Sequence, residues 1–139
     1  MSKSRQTYQG AVYSWHCDHM GHMNVMHYVG KFDEATWNFF STVGLQGKAM
    51  REDKKGVVAV EQSIKYKSEL LAGDVITIHS EVVEFGDKSI KFRHEMRNAE
   101  TGVVAAVTTL TGLYFDKVAR KAISLPDQVK TNLQTALDA

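Results

Sequence analysis

The chain has 139 residues, 43% of them hydrophobic, and 17 Lys and Arg stand against 16 Asp and Glu for a formal net charge of +1. That hydrophobic share supports a packed core and excludes a disordered chain, and the even charge balance offers no basic excess for a nucleic acid. Cys17 is the one cysteine, the longest purely apolar run covers only residues 103–107, and the first ten residues hold no apolar stretch, so we expect a single cytoplasmic domain over residues 1–139 with no disulfide, signal peptide or membrane span.

A first strand is predicted over residues 7–14. The strongest signal comes next. Val25, Tyr28, Val29, Phe32, Ala35, Thr36, Phe39, Phe40 and Val43 recur at steps of three and four, the period of one helix face. Asn24 suits the N-cap, because its side-chain oxygen can accept from an open first-turn N–H, and Gly44 suits the left-handed residue that ends a helix. Such a helix is roughly 28 Å long, and its aromatic side calls for a large, flat cover.

Sheet follows. Residues 57–66 and 75–85 are rich in β-branched side chains, and Ile90, Phe92, His94 and Met96 alternate with Lys91, Arg93, Glu95 and Arg97 at a period of two. Residues 103–115 open with Val103, Val104, Ala105, Ala106 and Val107, apolar in both alternating sets, as expected of a strand covered on both faces. Turn residues at Gly86-Asp87 and Glu100-Thr101-Gly102 make the last three strands antiparallel. Pro126 opens a short final helix through Val129, Leu133 and Leu137. The fold class is α+β. One long helix cannot cover both faces of five strands, and the face left over predicts a homo-oligomer.

Chemistry concentrates in residues 15–28, which hold four of the six histidines, an aspartate and the cysteine. The segment joins a strand to the start of the long helix, where open N–H groups and the positive end of the helix dipole can stabilise an oxyanion. Three chemistries fit these residue types. His16, His19 and His22, spaced by three, offer imidazoles to a metal, without the His-Glu-x-x-His spacing of a tight signature. Cys17 between His16 and His19 offers a nucleophile, although neighbours on an extended segment point to opposite faces. Asp18 offers a catalytic carboxylate beside the helix start at Asn24 and Val25; as a plain turn residue it needs no chemistry at all. There is no Gly-x-Ser-x-Gly, no Walker A and no Gly-x-Gly-x-x-Gly.

The stretch Cys17-Asp18-His19-Met20-Gly21-His22-Met23-Asn24, with Tyr28 ahead of a long aromatic helix, resembles the signature of the hotdog-fold acyl-CoA thioesterases, nearest their 4-hydroxybenzoyl-CoA thioesterase-like branch. The resemblance covers most of the chain and implies a long central helix wrapped by a five-stranded antiparallel sheet. It implies an acyl-CoA thioester hydrolase with no metal or redox cofactor, acting as a homodimer or homotetramer. Asp18 would be the nucleophile or general base and the backbone N–H near Val25 the oxyanion donor. His22 and Asn24 match positions near the active site of plant acyl-carrier-protein thioesterases. Lys88, Ser89 and Lys121 match regions that hold the coenzyme A phosphates, and Trp15 and Tyr28 would be core or acyl-pocket walls. Another branch carries its carboxylate on the helix, where Glu34 stands. A non-catalytic acyl-CoA-binding hotdog module is the alternative from a different functional class.

Overall fold

A computed structural model describes residues 4–139. In chain order the elements are β1 (Arg5–Ala11), α1 (Val25–Thr42), α2 (Gly47–Glu52), β2 (Lys55–Tyr66), β3 (Val75–Phe85), β4 (Ser89–Asn98), β5 (Val104–Asp116), β6 (Lys121–Ala122) and α3 (Asp127–Asp138). The strands form one sheet in the order β1-β3-β4-β5-β2, every neighbouring pair antiparallel, and β6 pairs with β5. The two-residue β6 makes the sheet six-stranded where five strands were expected; it is too short to carry a periodic signal of its own.

Register shifts between Gln6 and Tyr8, Ala59 and Glu61, Val82 and Glu84, and Met96 and Arg97 put an extra residue into one strand of each pair. Such bulges increase local twist, and the sheet curls. The last shift also decides burial in β5. Met96 faces Ala106 and Arg97 faces Val104, so Ala105 is the surplus residue, and Ala105 and Ala106 are both buried although adjacent. Val103, expected inside, lies before β5 and is half exposed.

Helix α1 lies against β1 and β3. Phe32, Ala35, Phe39 and Phe40 are almost wholly buried on the predicted face. Its first half packs with Ile76, Ile78 and Met96, and its second half with Phe92, Leu110 and, from α3, Val129 and Leu133. Asn132 Nδ2 donates to the Val43 carbonyl at 3.0 Å, which satisfies an acceptor left open at the end of α1. Gly44 follows at φ +93°, as its place after the helix requires.

Two local elements differ from expectation. The first strand stops at Ala11, and Ser14–His16 form a turn of 3-10 helix instead of continuing it. The His16 ring causes this: its Nδ1 accepts from the Tyr13 N–H at 2.9 Å, while the His16 N–H donates to the Tyr13 carbonyl. Helix α2 was not expected, since six residues with one buried side chain, Met50, are too few to show a helical period.

Candidate active site

The segment after the 3-10 turn doubles back on itself. The Asp18 N–H donates to the His22 carbonyl, the Gly21 N–H to the Asp18 carbonyl, and Cys17 forms an isolated antiparallel bridge with Met23. Gly21 sits at φ +85°, a conformation that favours a residue without Cβ. The Met23 N–H then donates to the Leu70 carbonyl at 2.8 Å, fastening the loop to the chain that leaves β2. This folding back brings Asp18 beside Asn24, six residues on.

Asn24 has two tasks. Its Oδ1 accepts from the Met26 N–H at 3.0 Å and caps α1, while its Nδ2 donates to Asp18 Oδ2 at 2.9 Å. Asp18 Oδ1 accepts from the Met20 N–H at 2.9 Å. The Asn24 amide first, and the Met20 N–H second, hold the Asp18 carboxyl below its ordinary value. His22 Nε2 stands 3.9 Å from Asp18 Oδ1, and its other nitrogen, Nδ1, is 3.0 Å from Glu69 Oε2. No described residue accepts from the Val25 N–H, which remains an open first-turn donor.

These groups border a cavity of about 320 Å3. Asp18, His22, Val25 and Tyr28 form one side, and Tyr66, Lys67, Ser68 and Glu69 the other. Tyr28 is buried, meets Tyr66 edge to face at 5.1 Å, and points its hydroxyl at the Ser68 carbonyl, 3.5 Å away. Sequence reasoning missed residues 66–69. They lie some 50 positions from Asp18 and carry no motif, and only the pairing of β2 with β5 delivers them here.

The structure thus joins Asp18, His22, Asn24, Val25 and Tyr28. It does not join the others to them within one chain. Trp15 is 70% exposed and stacks on Tyr13 at 4.4 Å, away from both the core and the cavity. Lys88 sits in the β3–β4 connection and Ser89 opens β4, facing Leu113 of β5, and Lys121 faces Asp116 near the same end of β5. Asp18 lies toward the opposite end, where the Lys67 and Ser68 N–H groups donate to the Ala105 carbonyl at the start of β5. Asp87, in the same connection, is held by Ser124 at 2.7 Å and Lys130 at 2.6 Å. Glu34 stands beside the Tyr8 hydroxyl and not on the cavity.

The metal and cysteine readings find little geometry. His16 is occupied with the Tyr13 N–H and packs against the His27 ring at 4.8 Å, and among the described residues no three His, Cys, Asp or Glu side chains are placed to hold a metal ion. The Cys17 thiol is directed to the Tyr13 carbonyl at 3.7 Å.

The family model of the thioesterase-like superfamily matches residues 12–133, which include the whole Asp18 loop, α1 and the sheet from β2 to β6. The chain belongs to the thioesterase-like superfamily. Within it, the chain is 26% identical over 109 residues to the L-carnitine dehydrogenase/betainyl-CoA thioesterase of Agrobacterium fabrum, a match covering 78% of this chain and 22% of that longer protein. The chain therefore spans about a fifth of that relative's length. Among solved structures, SAV2348 from Staphylococcus aureus in complex with CoA superposes with a TM-score of 0.90 at 20% identity, covering 97% of this chain and 85% of that one. Slr0204, a 1,4-dihydroxy-2-naphthoyl-CoA thioesterase from Synechocystis, gives 0.84 at 18% identity over 98% of both chains. YbaW, a probable thioesterase from Escherichia coli, gives 0.80 at 22% identity over 95% and 98%. At these identities the likeness establishes the fold, and the α+β architecture is that of the hotdog thioesterases. No described helix is long and apolar enough to cross a membrane.

Proposed function

We propose that this thioesterase-like protein hydrolyses acyl-CoA thioesters, with Asp18 as the reactive carboxylate and the start of α1 as the oxyanion site. One observation carries the reading: the Asp18 carboxyl group and an open helix-start N–H border the same cavity. A thioester carbonyl lying between them is attacked on carbon by an Asp18 oxygen while its own oxygen takes up negative charge toward the Val25 N–H. The C–S bond then breaks, the CoA thiolate leaves and takes a proton from solvent, and water hydrolyses the mixed anhydride. In the alternative course, Asp18 takes a proton from water as the water oxygen attacks, and that proton goes to the departing thiolate. His22, fixed by Glu69 on one side, presents its Nε2 toward Asp18 and the water. Removing a single oxyanion donor typically costs about 3 kcal/mol of transition-state stabilisation.

The same reading includes a homodimer or homotetramer in the cytoplasm. Lys88, Ser89 and Lys121, suited to CoA phosphates, lie at the end of the sheet away from Asp18. Antiparallel association of two copies about a two-fold axis brings one chain's phosphate-binding end to its partner's Asp18.

The test is release of free thiol from a panel of aromatic, short-chain and long-chain acyl-CoAs by wild type and Asp18→Ala. Turnover that collapses in the variant, with oligomeric mass unchanged, supports the reading. Full activity in Asp18→Ala moves the carboxylate role to Glu34. Acyl-CoA binding without turnover in wild type makes the protein a binding module.

A further inference from the structure

The connection between β3 and β4, residues 86–88, is fastened from several directions. The Gly86 N–H donates to the Ser89 carbonyl at 2.9 Å, and the Tyr114 N–H of β5 donates to the Lys88 carbonyl at 2.9 Å. The Asp87 carbonyl accepts from the Leu125 N–H at 2.8 Å. Its side chain reaches the same way: Oδ2 accepts from the Ser124 hydroxyl at 2.7 Å and Oδ1 from Lys130 Nζ of α3 at 2.6 Å. Backbone and carboxylate are thus committed to anchors, and the Lys88 side chain is left over. Neither Lys88 nor Lys121 makes an ion pair with a described residue.

Charge decides what this arrangement can do. Lys130 first, and the Ser124 hydroxyl second, hold the Asp87 carboxyl below its ordinary value, and Lys88 acts on it as well. With Lys130 in place the carboxylate is answered from the α3 side, and Lys88 is available to an outside anion. Without Lys130, the remaining cation acting on that carboxylate is Lys88. The other acids at this end have neighbours of their own. Asp116, opposite Lys121, takes Lys55 at 3.3 Å and the N–H groups of Val118 and Ala119. Glu61 and Glu84 share a hollow with Ser89 and Lys91, and Glu84 faces Lys91 across the β3–β4 pair.

We infer that Lys130 is a positioning residue for the nucleotide end of the substrate: by holding Asp87 it keeps that carboxylate from Lys88 and leaves Lys88 free for a coenzyme A phosphate. The inference rests on the proposed reading of this end of the sheet as phosphate-binding. Lys130 touches no phosphate in this scheme and acts through Asp87. Its influence is electrostatic and largely solvent-exposed, so salt screens it.

Calorimetric titration with CoA tests it on wild type, Lys130→Met, Asp87→Asn and the double variant. The expected result is that Lys130→Met binds CoA about fivefold more weakly at low salt, with the difference narrowing as salt is raised. Asp87→Asn removes the charge that needs an answer, so it binds CoA at least as tightly as wild type, and added to Lys130→Met it restores the affinity. A tie that only holds the turn in shape predicts otherwise: both single variants weaken CoA alike at every salt concentration, and the double variant does not recover. That pattern overturns the inference, as does wild-type affinity in Lys130→Met. Should Lys130→Met not fold, Lys130→Gln, which removes the charge and keeps a donor for Asp87, gives the same comparison. Failure of wild type to bind CoA overturns the inference together with the phosphate-binding reading. Binding with the expected pattern but no thiol release from any acyl-CoA overturns hydrolysis and leaves this inference standing.

Discussion

Asn24 couples stability to the proposed chemistry of Asp18 through one side chain. Asn24→Ala removes the cap of α1, a loss of about 1 kcal/mol, and removes the strongest cause of the lowered Asp18 pKa. Because that pKa is held below 3.8 in the folded chain, wild type keeps the carboxylate ionised into the acid range, and the acid limb of kcat/KM lies below that value. In Asn24→Ala the limb moves up toward 3.8, which a pH–rate profile reads. A limb that does not move rules out Asp18 as the titrating group. Val25 permits a sharper experiment. Proline is well tolerated at the first helical position, and Asn24 already has the extended backbone (φ −73°, ψ 148°) that a following proline prefers. Val25→Pro therefore deletes the open N–H with little harm to the helix. Its expected signature is kcat lower by about 10²- to 10³-fold with an unchanged melting temperature. Normal turnover in this variant places the oxyanion elsewhere.

At the scale of elements, α1 is fastened to the sheet by a buried polar chain as well as by aromatics. His94 of β4 is wholly buried, with Nε2 2.8 Å from Thr36 Oγ1 of α1 and Nδ1 2.5 Å from Ser80 Oγ of β3. Ser80 continues to Thr7 of β1 at 2.7 Å. Burial pushes the His94 imidazole down from 6.5 to about 4. The unfolded chain therefore binds this proton more readily than the native one, and stability falls as pH drops from 6.5 to about 4, with no further loss from this group below that. The full effect is about 3 kcal/mol. Urea midpoints measured across that range check it, and a flat profile would show that the ring is protonated in place. Helix α3 adds an apolar face to its polar ties through Lys130 and Asn132. Leu133 is completely buried among Phe40-side core residues, and Leu133→Ala is expected to cost about 2–5 kcal/mol in urea unfolding. Helix α1 and strands β3, β4 and β5 were legible because each buries a regular set of side chains, and β2 was legible from its β-rich composition although none of its residues is buried. Helix α2 and β6 were not, because so few residues show no period, and the 3-10 turn was not, because a ring nitrogen of His16 sets it.

For the whole molecule, the uncovered surface is as informative as the core. Strand β2 is one edge of the sheet, with Val58 and Val60 exposed, and α1 turns Val25, Met26, Val29 and Trp37 outward. An exposed edge with apolar side chains is a pairing surface unless it is protected. The expected solution mass is a multiple of 15.6 kDa. Val60→Lys puts a charge on that edge and is expected to shift light-scattering mass toward one chain, with thioesterase activity falling alongside. A monomer that keeps full activity would show that one chain holds a complete site.

The sequence by itself determined the α+β class, the reach of α1 and the antiparallel β3-β4-β5 order. All of these depend on local periodicity, capping chemistry and turns, which act over a few residues. Only the tertiary structure decided that Tyr66 to Glu69 close the cavity, that Trp15 stands outside it, and that Lys88, Ser89 and Lys121 lie at the far end of the sheet. Those placements come from strand pairing between residues dozens of positions apart and from bulges that shift register by one residue, and neither leaves a periodic trace in the chain.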